Sequence, residues 1–138
     1  MREEVFWLGR LLFSLVLIDN GYRHLVSNTE SSTQYAAYKG VPNAKTMVQL
    51  TGVLMLLGAA AVVLGIWIDL AGLAIAVLMI IFGVKMHDFW AATDAQTQAV
   101  ERAQFMKNVA IAGGGLMLAA LGPLDWYTLT DGLRRKSK

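Results

Sequence analysis

The sequence predicts an all-α integral membrane protein, a four-helix up-down bundle, and three observations carry that prediction. The chain has 138 residues, of which 56% are apolar. Its mean hydropathy of +0.49 is well above that of an ordinary soluble domain. The apolar residues gather in four runs, each close to the roughly 20 residues that a ~30 Å hydrocarbon core requires. Polar and ionisable residues collect at matching ends of those runs. Asp19, Arg23 and His24 end the first and Gln49 lies near the start of the second. Lys85, His87 and Asp88 end the third, and Lys107 and Asn108 open the fourth. In an up-down bundle these ends share one membrane face, so a single transmembrane domain with one polar end is expected.

Span 1, residues 5–26, is the most polar of the four and carries Arg10, Ser14, Asp19, Asn20, Arg23 and His24. The acidic Glu3 and Glu4 and the lack of a small-residue cleavage site mark it as a retained helix rather than a signal peptide. The loop 27–45 holds a short helix bearing Tyr35 and Tyr38. Ser27-Asn28-Thr29-Glu30 reads as its capping box, and Gly40 and Pro42 close the segment. Span 2, residues 47–68, is almost uninterrupted. Little beyond Trp67, Ile68 and Asp69 joins it to span 3, residues 70–90, so these two form a tight antiparallel hairpin. Thr93 reads as an N-cap for a polar stretch of helix, 94–104, which runs into span 4, residues 105–124. Ala61 and Gly65, Gly72 and Ala76, and Gly115 and Ala119 have the spacing that lets membrane helices approach closely.

Composition excludes several chemistries. The sequence has no cysteine, hence no disulfide and no thiolate chemistry. With two histidines and no His pair at i, i+4, no metal site is expected. A net charge of +2 with dispersed basic residues gives no reason to expect a nucleic-acid partner. The expected surroundings are membrane lipid.

Four groups of residues could carry chemistry. Arg10 lies about two turns inside span 1, where a charge costs at least ~2.5 kcal/mol at the bilayer centre. It either anchors an anionic or carbonyl head group or snorkels to pair with Asp69 or Asp125. Asp19 and Arg23 have i, i+4 spacing, which suits a mutually neutralising pair and equally an intramembrane proton carrier. Met86-His87-Asp88-Phe89-Trp90 joins a titratable imidazole and a carboxylate to two aromatics. The string reads both as a head-group site and as an interfacial aromatic belt. Lys107 and Asn108 follow Gln104 at i+3 and i+4, and Asn108, just inside the membrane, needs a hydrogen-bond partner: His24, Asp88 or a carbonyl of span 3.

Taken together, these residues resemble the DoxX family of small four-helix membrane proteins. The resemblance rests on Leu8-Gly9-Arg10, Gly21 with His24, Tyr38-Lys39-Gly40-Val41-Pro42, Gly52 to Gly65, the His-Asp-Phe-Trp string, and Phe105-Met106-Lys107-Asn108. It implies a four-span fold, an association with membrane redox processes, and a pocket built from Arg10, His24, His87, Asp88, Lys107 and Asn108. Many members carry a glutamate early in span 2, where this chain has Thr51-Gly52-Val53-Leu54-Met55 and no acid.

The expected function is a membrane subunit that binds a quinone or lipid at its polar end and supports a redox-enzyme partner. His87 would bond the head, Asp88 would orient it, and Arg10 or Lys107 would offset negative charge. Two alternatives stand beside it: a small transporter coupled through Asp19 in a homo-oligomer, and a scaffold acting through the basic tail Arg134, Arg135, Lys136 and Lys138. That tail favours cytoplasmic termini in a prokaryotic inner membrane, with the polar end facing outward.

Overall fold

The computed structural model describes residues 2–121, and its secondary structure there is helical throughout. Helix α1 runs Arg2–Tyr22, α2 Thr29–Tyr38, α3 Ala44–Leu64, α4 Ile68–Met86 and α5 Ala95–Leu121. A π-helical turn, Arg23–Ser27, extends α1, and a 3₁₀ turn, Phe89–Ala91, follows α4. Four stretches are long and apolar enough to cross a membrane: Glu4–Ser27, Ala44–Leu64, Ile68–Ala91 and Ala95–Leu121. The chain is thus an all-α membrane helical bundle. The last residues assigned to span 4 and the basic tail lie outside the described residues, as does Asp125.

The joints follow local chemistry, with two corrections. The capping box at 27–30 does not form, because α1 does not stop where the box would begin. The chain widens into the π turn, the Asn28 N–H bonds Arg23 O at 2.9 Å, and no side chain caps α2. Thr93 is not the cap of α5. Asp94 is, its Oδ1 accepting the Thr97 N–H at 2.8 Å. The hairpin from α3 to α4 is as short as the sequence implies. Gly65 takes φ 72° and ends α3, and the Ile66 N–H returns to Ala61 O at 3.0 Å. Gly65 therefore acts as the C-cap of α3.

Packing divides the bundle into two pairs, α1 chiefly on α3 and α4 chiefly on α5. The core between them holds Leu17, Met55, Ala59, Val62, Ile75, Met79, Ile111 and Leu118. The small residues of α4 and α5 do set a close crossing. A Cβ at Gly72 would lie 2.4 Å from Gly115 O, and one at Gly115 would lie 2.6 Å from Gly72 O. The outer faces remain apolar, as at Leu11, Leu15, Leu57, Leu73, Ile80 and Met117, which is the surface that hydrocarbon requires.

Arg10 is an internal tie. It is 1% exposed. Its Nε donates to Val62 O at 2.6 Å and a terminal nitrogen donates to Val63 O at 2.7 Å. Its guanidinium lies 4.2 Å from the Trp7 ring centroid. At the end of α3 the Ile66 N–H goes to Ala61 O, so Val62 O receives only a long 3.3 Å bond from the Gly65 N–H in place of a regular helical one, and the last carbonyls carry the negative end of the helix dipole. Arg10 satisfies both needs at once. Among the described residues it does not pair with Asp69, because the nearer acceptors are these backbone oxygens.

Candidate functional site

The α1 and α4 ends, the α3 and α5 starts, and α2 meet at the polar end around a cavity of about 440 Å³. Its apolar part includes Met47, Met55, Met79, Met86 and Phe82, and its polar part includes Asn20, Arg23, His24, Thr51, Tyr35, His87, Glu101, Gln104, Lys107 and Asn108. Methionines give such a wall the freedom to reshape around a ligand.

His24 reaches the cavity from the π turn. Such turns insert an extra residue and often mark functional positions. Its Nδ1 is 3.1 Å from Thr51 Oγ1, and the Thr51 hydroxyl donates in turn to Val48 O at 2.9 Å. The ring sits tight against α3. A Cβ on Gly52 would come within 2.9 Å of His24 Cβ, so α1 and α3 touch here almost backbone to backbone.

On the other wall His87 ends α4, and its Nδ1 lies 2.8 Å from Glu101 Oε2. Tyr35, from α2, places its hydroxyl 2.8 Å from Glu101 Oε1 and 2.8 Å from Met86 O. Burial first, then the hydrogen bond to Glu101, push the Tyr35 phenol well above its ordinary pKa, so it keeps its proton and acts as a donor. Tyr35, Glu101 and His87 thus form one chain of polar groups joining three helices.

Lys107 Nζ donates to Gln104 Oε1 at 2.6 Å. Asn108 is 3% exposed and borders the cavity, and its Nδ2 has no hydrogen-bond partner. None of the partners expected for it, His24, Asp88 or a carbonyl of α4, bonds that nitrogen.

Of the six residues singled out from the sequence, four line the cavity: His24, His87, Lys107 and Asn108. Arg10 does not, since it ties α1 to the far end of α3. Asp88 does not line it either. It forms an ion pair with Lys39, which follows α2. The His-Asp-Phe-Trp string divides its tasks. His87 faces the cavity, while Phe89 and Trp90 stack edge-on with Phe105, at centroid separations of 5.4 and 5.8 Å. Asp19 pairs with Arg23 at 3.9 Å on a largely exposed face, and it is not among the residues around the cavity.

Sequence reasoning missed Tyr35, Thr51 and Glu101. Glu101 had a signal, lying three residues before Gln104 and seven before Asn108 on one continuous helix. It also supplies the cavity with a carboxylate that the start of α3 lacks. Thr51 and Tyr35 carried no signal, since their roles depend on neighbours from other helices.

The DoxX family model matches residues 5–88, from the start of span 1 to the end of the His87-Asp88 pair, and leaves α5 outside the match. No curated protein and no solved structure matches the chain.

Proposed function

The chain belongs to the DoxX family, and from that premise we propose that it is a membrane subunit whose polar-end cavity holds the head of a quinone and supports a redox-enzyme partner. The observation that carries this reading is Asn108. A buried donor without an acceptor costs about 1–3 kcal/mol, and a ligand oxygen reaching the cavity wall at Asn108 would remove that cost. An oxygen on the head of an amphiphile would do so. The composition of the cavity agrees, with polar groups around the head and Met55, Met79 and Phe82 to contact an apolar body.

When bound, a quinone supplies two-electron, two-proton chemistry. The chain's own residues bind and orient it. His87 bonds the head, Glu101 holds the His87 ring, and Tyr35 holds Glu101. Asp88 acts at one remove, through the Lys39 ion pair that keeps α2 in place. With no cysteine the chain has no thiolate set for an iron–sulfur cluster, and electrons would pass to a partner. The basic tail favours cytoplasmic termini in a prokaryotic inner membrane and an outward-facing cavity.

The test is the quinone content of protein gently extracted from its own membrane, with His87→Ala beside it. A stoichiometric quinone that disappears in His87→Ala, with helicity retained, supports the reading. Unchanged quinone content in that variant would sink the assignment.

A further inference from the structure

We infer that the cavity is selective for the reduced, dihydroxy form of its ligand, because both of its imidazoles present the ligand with a lone pair. This rests on the quinone-site reading above and adds which redox form the site takes.

The His24 tautomer follows from counting hydrogens. The Thr51 hydroxyl has one hydrogen and donates it to Val48 O at 2.9 Å. Both contacts are satisfied together when His24 Nδ1 donates the 3.1 Å bond and Thr51 accepts it, and this is the assignment we adopt. Nδ1 carries the ring proton, so in the neutral ring Nε2 bears the lone pair, and Nε2 is the nitrogen left for a ligand. On the facing wall Glu101 Oε2 accepts from His87 Nδ1 at 2.8 Å. That hydrogen bond places a ring proton on Nδ1 and leaves Nε2 as the nitrogen available to a ligand, an acceptor in the singly protonated ring. The Tyr35 hydroxyl lies 2.8 Å from the other Glu101 oxygen and 2.8 Å from Met86 O, so its one hydrogen is shared between the carboxylate and the end of α4.

A quinone carbonyl and a hydroxyl meet this arrangement differently. Both can accept from the unpartnered Nδ2 of Asn108. Only a hydroxyl can also donate to an imidazole lone pair, whereas a carbonyl there sets two acceptors against each other. An unmet polar group in a buried site costs enough to separate the two forms by about tenfold or more. Thr51 is therefore a positioning residue. It acts on the ligand through the tautomer that it imposes on His24.

The experiment uses the full chain in lipid nanodiscs. The probes are a decyl-tailed 1,4-benzoquinone and the same compound held as its diol under anaerobic conditions. Binding of the diol about tenfold tighter supports the inference. Equal or tighter binding of the quinone overturns it and leaves the quinone-site reading standing. Binding of neither overturns both. Thr51→Val should narrow the gap between the two affinities, leaving the part set by His87, while retaining quinone binding, and an undiminished diol preference in that variant counts against the inference. Should Thr51→Val not fold, the wild-type chain decides. It has two histidines, so ¹⁵N-histidine labelling resolves both rings. Protonated Nδ1 and bare Nε2 at His24 are expected, and a protonated Nε2 with a bare Nδ1 refutes the proposal.

Discussion

Arg10 and Asn108 are both buried polar side chains, at 1% and 3% exposure, and they serve opposite ends of the molecule. Arg10 has its backbone acceptors in place, so its role is in the fold. Arg10→Lys keeps the charge but replaces a planar fork with a single ammonium that does not reach both Val62 O and Val63 O in the same geometry. A loss of about 2 kcal/mol is expected, read as a lower melting temperature in detergent. Asn108 is the reverse case. Its Nδ2 contributes nothing to the ligand-free fold, so Asn108→Leu should leave the ligand-free protein equally stable or about 1 kcal/mol more stable and weaken ligand binding. A variant that is clearly destabilised would show that the amide has a structural partner. The sequence marked both residues as costly in a membrane. It did not distinguish them, because that distinction lies in which backbone carbonyl is within 3 Å.

At the scale of the helices, glycine positions decide how close neighbours come. Gly72→Ala and Gly115→Ala each place a methyl group against backbone of the facing helix, 2.4 and 2.6 Å away by ideal geometry. Each should cost about 1–3 kcal/mol in a denaturant or SDS titration. Gly113, two residues before Gly115 in the same Gly-Gly-Gly run, has nothing within 4 Å of an added Cβ. Gly113→Ala should be neutral or stabilising by up to about 1 kcal/mol. The helix starts make a separate prediction. The Thr97 backbone N–H bonded to Asp94 holds that carboxyl below its ordinary pKa. A depressed carboxyl pKa adds stability above the unfolded value of about 4, and that stability is lost as pH falls through the folded value. Amide exchange in the first turn of α5 should accordingly show relative loss of protection on acidification, and Asp94→Asn should flatten that pH dependence.

At the scale of the whole molecule, α2 is the element that closes the polar end. It reaches the rest of the bundle through Tyr35 to Met86 O and Glu101, and through the Lys39–Asp88 ion pair that follows it. Residues from α2, α4 and α5 must all be in place for Glu101 and His87 to meet. Asp88→Asn removes a partly exposed ion pair worth about 1 kcal/mol. Hydrogen exchange across α2 should quicken by roughly fivefold, with a smaller difference at high salt. An α2 that exchanges no faster would mean that Tyr35 and its apolar contacts hold it alone.

The sequence by itself determined that the chain is a helical membrane bundle, where its spans run, and that its polar residues gather at one end. Those properties depend on run length and hydropathy, which the thickness of a bilayer converts directly into structure. It also carried four of the cavity's residues, His24, His87, Lys107 and Asn108, because position along a span sets depth in the membrane. What only the tertiary structure decided is which side chains face each other. Tyr35 and Glu101 are 66 residues apart and His24 and Thr51 are 27 apart. Their meeting depends on helix rotation and on the close approaches at Gly52 and at Gly72 with Gly115. Rotation about a helix axis is set by contacts with neighbouring helices, and a chain read one residue at a time does not contain those contacts.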